Sequence, residues 1–171
     1  SSDVCSSDLI SNFDTSKTTS IKKMFFECKS LTTLDISNFD TSLISTLEYF
    51  FYGCSELKEI SLSNFNTSLV TSVAYMFNGC SSLISIDLRN FNTSKITGND
   101  NYNLFSSDSH IEFINFNNAI LEDGFITQHF RFKSNITICN NNNSNLLFEL
   151  VNNKTYPNIK IGFCDDNCPS F

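Results

Sequence analysis

A six-residue motif returns four times along the chain, always at the same interval. The motif reads Ser-Asn-Phe-Asp-Thr-Ser in the first two copies, Asn replaces Asp in the later ones, and Arg replaces the first Ser in the last. Other residues keep the same spacing, and the aligned columns are Phe13, Phe39, Phe65 and Phe91; Phe25, Phe51 and Phe77; Cys28, Cys54 and Cys80; and Leu31, Leu57 and Leu83. A fixed period of about 26 residues is typical of stacked units that each bury one face against the next.

Each unit begins with a strand pattern and continues with a helix pattern. Leu34 and Ile36 alternate with polar residues, which predicts a short strand with one buried face. Ile44, Leu47 and Phe51 then recur with the spacing of a short amphipathic helix. Because every unit returns in the same direction, we predict an α/β solenoid with a parallel sheet of short strands and short helices on the other side. The column that begins at Phe13 is expected to stack as an internal aromatic spine.

The fourth unit departs from the register. Aligning Phe105 with Phe77 and Ile114 with Ile86 requires a longer interval than the earlier units have, so two extra residues fall within 98–103. Beyond residue 119 the register is lost. Alternating apolar residues there predict a strand or hairpin within 126–139 and further strands at 146–151 and 159–163.

The register divides the chain into three regions. Residues 1–10 fall outside it and are predicted to be a non-native or disordered leader, and Cys5 is excluded from the fold with them. Residues 11–119 form the predicted solenoid of about four units, the last degenerate. Residues 120–171 are predicted to form a β-rich C-terminal cap that leads towards a truncated Cys-rich region. The chain starts without Met, so we expect a fragment of a longer protein.

Composition narrows the function. The net charge is −7, which argues against nucleic acid or an anionic membrane as partner, since both attract basic patches. No apolar run approaches the ~20 residues of a membrane span, so no membrane insertion is expected. The sequence has no phosphate-binding Gly loop, nucleophile elbow or paired catalytic carboxylates in a recognisable frame. We therefore predict a chain that is not an enzyme and needs no cofactor.

Residues 24–42 carry Met-Phe, two residues, Cys, and then Leu-x-x-Leu-Asp-Ile-Ser-Asn-Phe-Asp-Thr-Ser, and residues 76–83 repeat the first part. This pattern resembles the BspA-type leucine-rich-repeat surface proteins, whose repeat is also known as a mycoplasma domain of unknown function. The resemblance covers residues 11–97, and weakly extends to 119. It implies a leucine-rich-repeat-like fold, a cell-surface or extracellular location, adhesion to host or matrix proteins, and no catalytic residues.

The cysteines fall into two sets. Cys28, Cys54 and Cys80 are interpreted as a column of small buried thiols, with disulfides between units or a metal ladder as alternatives. The second set lies outside the repeats, where a disulfide from Cys139 to Cys164 or Cys168 would stabilise the cap. No metal site is predicted in either set.

Five Asn-x-Ser/Thr sequons are candidate glycosylation sites, at Asn66, Asn92, Asn135, Asn142 and Asn153. They matter only in a secreted eukaryotic chain. Asn66 and Asn92 have a second interpretation as side-chain acceptors in a turn, because Asp stands at their position in the earlier copies.

A partner is expected to bind on the exposed strand face, where the outward residues of successive units form columns. The candidate contact residues are Thr33, Asp35, Ser37, Glu59, Ser61, Ser85, Asp87, Arg89 and Phe113. The leading hypothesis is a monomeric adhesion or protein-binding module for a protein or glycan ligand. The alternatives are a passive stalk or coat repeat and an intracellular scaffold.

Overall fold

The computed structural model describes Cys5, Ile10 and residues 12–96, 104–105, 110–130, 136–140 and 159–162. Within them the regular elements are β1 Glu59–Ser61, β2 Ser85–Asp87, β3 Phe113–Asn115, α1 Phe125–His129, β4 Ile136–Cys139 and β5 Ile159–Gly162. The strands form one sheet in chain order, and every neighbouring pair is parallel. A parallel sheet with few helices is compatible with the predicted α/β class.

The apolar residue of each short strand lines up across the sheet. Ile60 pairs with Ile86, and Ile86 pairs with Ile114, which confirms the lengthened interval predicted for the fourth unit. Pairing then continues from Ile114 to Ile138 and to Ile161. Fewer residues separate the paired strands in these two steps than in the earlier units. The C-terminal strands therefore extend the same sheet with a shorter period.

The prediction for the C-terminal region is confirmed in part. The strands Ile136–Cys139 and Ile159–Gly162 lie where alternation predicted them. The segment before β4 is different, because Phe125–His129 forms a helix where a strand or hairpin was expected. The predicted strand at 146–151 lies outside the described residues.

The prediction of short helices inside the repeats is wrong, because residues 22–27 and 48–53 form consecutive turns. Lys23, Tyr49 and Tyr75 have φ of 61°, 56° and 56°, a left-handed conformation that interrupts a right-handed helix. The N–H groups of Leu47, Tyr49, Phe51 and Gly53 donate instead to the carbonyls of Ser72, Ala74, Met76 and Asn78 in the next unit. We call this second set of inter-unit hydrogen bonds the turn ladder.

One core cluster receives the buried side chains of the strands and of the turn ladder. Its centre is a stack of near-parallel rings from Phe25, Phe51, Phe77 and Phe105, with successive centroids 5.4, 5.5 and 5.4 Å apart and interplanar angles of 9°, 9° and 10°. Phe39, Phe65 and Phe91 are also buried, but Phe13 is 37% exposed. The spine predicted from Phe13 onwards is therefore corrected, since the parallel stack belongs to the Phe25 column.

The recurring motif is explained by its hydrogen bonds. The Asp40 carboxylate accepts a bond from the Ser42 N–H at 2.9 Å and closes a tight turn, and Asp14, Asn66 and Asn92 make the equivalent bond. The threonine that follows this Asp or Asn joins two units. The buried Thr67 hydroxyl accepts from the Asn92 N–H at 2.7 Å and donates to the Asn92 carbonyl at 3.0 Å. Thr15, Thr41 and Thr93 are buried at the equivalent positions.

Candidate functional site

The strand face is less exposed than its sequence pattern predicted. Thr33, Asp35, Ser37 and Glu59 are exposed, and Ser61, Ser85 and Arg89 are half-buried. Asp87 and Phe113 are buried, with exposed fractions of 0% and 7%. The expectation that these last two residues project into solvent is therefore corrected, and the open part of the face lies in the earlier units.

Asp87 is buried because its charge is satisfied inside the protein. The Arg89 guanidinium donates to both carboxylate oxygens, with Nη2 2.6 Å from Oδ2 and Nε 3.0 Å from Oδ1. The Ser61 hydroxyl of the neighbouring strand donates to Oδ2 at 3.1 Å. The hydrogen bond that Arg89 donates to the Asp87 carboxylate also raises the pKa of Arg89. A charge paired in this way holds two strands together and has little left for an external partner.

Asp35 also has an internal role, although its side chain is exposed. Its Oδ1 accepts from the Ser37 N–H at 2.9 Å, and this hydrogen bond lowers the pKa of the carboxyl. Asp87 and Asn115 make the same bond to the N–H two residues on, at 3.1 and 3.0 Å. The column at these positions therefore turns the chain after each strand.

Phe113 lies in the middle of the sheet. It pairs with Ser85 on one side and with Thr137 on the other. Because both neighbouring strands flank it and its ring is buried, it acts as a packing residue rather than as an exposed anchor for a partner.

A second surface, absent from the sequence-based site prediction, lies on the turn ladder. We call it the aromatic–lysine surface, and it consists of Lys22, Lys23, Phe26, Tyr49, Tyr52 and Tyr75. Phe26 is 39% exposed, and the three tyrosines are half-buried. The Phe26 and Tyr52 rings stack with centroids 5.0 Å apart, and those of Tyr49 and Tyr75 are 5.1 Å apart.

The lysines of this surface have different surroundings. Lys22 forms a salt bridge with Glu48; the hydrogen bond between them raises the pKa of the lysine and lowers that of the glutamate. The Nζ of Lys23 lies 5.2 Å from the centroid of the Phe26 ring and 5.3 Å from that of Tyr49. These distances are within the range of cation–π attraction.

A sequence signal for this surface existed. Tyr49 and Tyr75 stand at equivalent positions of successive units, as do Phe26 and Tyr52, so both pairs keep the register of the repeat. Each pair flanks a buried position of the Phe51 column. The sequence-based site prediction was confined to the strand columns and did not use this pattern.

The cysteines of the repeat are divided between two states. Cys54 and Cys80 are free and buried, as predicted, and their thiols donate to the carbonyls of Phe25 and Phe51 at 3.1 Å. Burial raises the pKa of Cys54 to about 12, and burial also raises the pKa of Cys80.

Cys28 departs from that prediction, because it forms a disulfide with Cys5, a residue predicted to lie outside the fold. Cys139 is buried and disulfide-bonded. Cys164 and Cys168 lie outside the described residues, so the choice between them stays a prediction. Among the residues that the structure describes, no group of three His, Cys, Asp or Glu side chains could hold a metal ion.

Two of the five sequons can be placed. Asn66 is exposed and Asn92 is half-buried, and the side-chain oxygen of each accepts from the serine N–H two residues on, at 3.1 and 2.9 Å. Their interpretation as turn acceptors is confirmed. Asn135, Asn142 and Asn153 lie outside the described residues. In the part of the chain that is described, no helix has the length and apolarity that a bilayer span requires.

Comparison with known proteins gives one match. Neither the curated proteins nor the solved structures gave a match. A family model described as "Mycoplasma protein of unknown function, DUF285" matches residues 2–120, which include β1 to β3 and the whole aromatic–lysine surface. With more than half of its residues matched, the chain belongs to this DUF285 family.

Proposed function

We propose that residues 11–119 form a leucine-rich-repeat-like solenoid that works as a non-enzymatic binding or adhesion module. The observation that carries this proposal is the alignment of equivalent positions in columns, along the strand register and along the turn ladder. Aligned columns create an extended surface, which is how repeat proteins engage partners. The ligand is a protein or glycan on another cell or matrix, and the chain acts as a monomer.

The exposed strand-face residues of the earlier units supply the contacts in this proposal. Thr33 and Glu59 are exposed, and neither side chain has an internal hydrogen bond among the described residues. Asp35 and Ser37 are exposed beside them. Asp87 supports the face from within, because its bonds to Arg89 and to Ser61 of the preceding strand hold the register.

The oxidised cysteines support a location at the cell surface or outside the cell. Cys5 and Cys28 form one disulfide, and Cys139 takes part in another. Disulfides persist in oxidising compartments and are rare where glutathione keeps thiols reduced. Intact-mass analysis of protein from its native source, with and without reductant, tests this part of the proposal. Fully reduced cysteines in the native protein would favour an intracellular scaffold.

Binding is tested with purified chain and a panel of immobilised extracellular-matrix proteins and glycans, by biolayer interferometry. The test variant is Glu59→Arg, which reverses one exposed charge in the middle of the face. Glu56→Arg is the matched control, because Glu56 is exposed and lies three residues earlier, outside the strand. We expect Glu59→Arg to weaken binding about tenfold and Glu56→Arg to leave it unchanged.

Two results would contradict the proposal. If both variants bind as the unmodified chain does, the strand face is not the site. If no member of the panel binds to folded protein, a passive stalk or coat becomes the better explanation of the repeats.

A further inference from the structure

We propose that the aromatic–lysine surface is a second interaction site, and that it takes an acidic segment of a partner protein. This site lies on the turn ladder, outside the strand face of the function proposed above. Its residues come from three successive units, at Lys23 and Phe26, at Tyr49 and Tyr52, and at Tyr75. Because the period of the repeat brings them together, the site exists only in the stacked fold.

The rings of this surface form two stacked pairs that contact each other. Phe26 and Tyr52 are nearly parallel, at 8°, and Tyr49 and Tyr75 are inclined by 26°. Each ring uses one face for that contact, and Tyr49 also meets the Phe26 and Tyr52 rings at tilted angles of 57° and 52°, so ring edges form part of the surface that stays exposed. The edge of an aromatic ring carries the positive part of its quadrupole. This row of edges therefore favours a negatively charged group.

Lys23 adds a full positive charge at the same place. It is exposed, and its Nζ lies over two rings of the surface. The lysines on either side are neutralised, Lys22 by Glu48 and Lys29 by Glu27. Within the described residues Lys23 has no such carboxylate partner, so its ammonium is available to a carboxylate from outside.

The nature of the rings favours a protein over a glycan or a nucleic acid. Sugars and bases bind aromatic residues by stacking on their faces, and here one face of each ring packs on another ring while Lys23 lies over the Phe26 and Tyr49 rings. Tyrosine and phenylalanine are enriched in protein interfaces. Rings that already stack in the free protein lose little freedom when a partner binds.

The test uses a fluorescein-labelled peptide built from the repeat Glu-Glu-Leu, titrated with the full chain and followed by fluorescence anisotropy. Lys23→Glu should weaken binding by at least about tenfold, as loss of one charge-assisted hydrogen bond does, and Lys23→Arg should restore it. Lys95→Glu is the matched control, since Lys95 is exposed in the fourth unit, away from the rings, and should bind normally. Amide NMR shifts on titration should fall at Lys23, Phe26 and Tyr49.

Each alternative result overturns the inference in a recognisable way. Equal binding of a peptide with Gln in place of Glu would remove the role of charge. Normal binding by Lys23→Glu would remove the site. An anionic oligosaccharide that binds through Lys23 while the peptide does not would make this a glycan site. Because the Glu59→Arg variant leaves the turn ladder intact, its results separate failure here from failure of the strand-face proposal.

Discussion

Replacing Thr67 with valine tests whether hydroxyl groups hold the repeat units together. Thr67 is 2% exposed. Its hydroxyl accepts from the Asn92 N–H at 2.7 Å and donates to the Asn92 carbonyl at 3.0 Å, so one side chain joins two units twice. Valine has nearly the same shape and removes both bonds. The change therefore isolates hydrogen bonding from packing.

The expected loss follows from the groups left behind. The Asn92 N–H faces the position of the lost hydroxyl, and a buried donor without a partner costs about 1–3 kcal/mol. The added methyl group offsets little, because the site is already closed. For a slope of roughly 2 kcal/mol per molar urea, the midpoint should fall by about 0.5–1.5 M.

Urea unfolding followed by circular dichroism measures this shift. Thr67→Ser is the control, since it keeps the hydroxyl and loses only a methyl group, and its midpoint should fall less than that of Thr67→Val. Thr41→Val should behave like Thr67→Val, because its hydroxyl accepts from Asn66 in the same way, at 2.8 Å. A Thr67→Val midpoint equal to or above that of the unmodified chain would refute the reasoning.

Four further experiments test other parts of the structure. Phe51→Ala removes a fully buried stacked ring and should lower the unfolding free energy by about 3–5 kcal/mol in the same urea assay. Phe26→Ala is the control at a 39% exposed position, and it should lower the unfolding free energy by less than about 1 kcal/mol. The Cys54 thiol, with its pKa raised to about 12, should react with a disulfide reagent at roughly pH 8 only after denaturation, and fast native reaction would contradict its burial. Glu27 has φ of 60° where the next two units have glycine, so Glu27→Gly should raise the unfolding free energy by roughly 0.5–1 kcal/mol, measured by thermal melting; a lower melting temperature would argue against backbone strain. Hydrogen bonds from the serine two residues on hold the pKa of Asp40 below 3.8, so the stability they give is present above that value and is lost as the pH falls through the folded-state pKa. Asp40→Asn keeps the acceptor and should lose less stability in acid, and identical acid profiles would exclude this contribution.

The strand register could be predicted from the sequence because two patterns give the same alignment: the alternation of apolar residues within a strand and the period of the repeat. Ile86 and Ile114 were aligned across a two-residue insertion, and the structure pairs them. A strand with one buried face has a short, strict pattern, and four copies of it reinforce one another. The shortened returns to Ile138 and Ile161 could not be recognised, because a changed period removes that reinforcement.

The turn ladder could not be predicted from the apolar pattern alone. Ile44, Leu47 and Phe51 are all buried, as a helix would require. The same spacing also suits consecutive turns, in which a left-handed residue such as Tyr49 breaks the helix and directs N–H groups to the next unit. Single-unit periodicity does not distinguish these outcomes, because it reports which side chains are buried and not where the backbone hydrogen bonds go.

The exposure of the candidate strand-face residues was predicted correctly for the earlier units and wrongly for Asp87 and Phe113. The alternation that places Asp87 on the outer face of the sheet is correct as a register. Its burial comes from Arg89, two residues along the chain, which covers the carboxylate and pairs with it. An outward position predicts exposure only when no long neighbouring side chain folds over it, and that depends on partners across the sheet as well as along it.

The turn ladder keeps one backbone conformation although its outward side chains differ from unit to unit. Lys23, Tyr49 and Tyr75 keep φ between 56° and 61° although a lysine and two tyrosines occupy the position. The inward position two residues on is phenylalanine in all three units. Backbone hydrogen bonds and buried rings therefore set the conformation, and the outward side chains do not. Changes at the outward positions should alter binding far more than unfolding free energy, which is the behaviour that separates an interaction surface from a structural one.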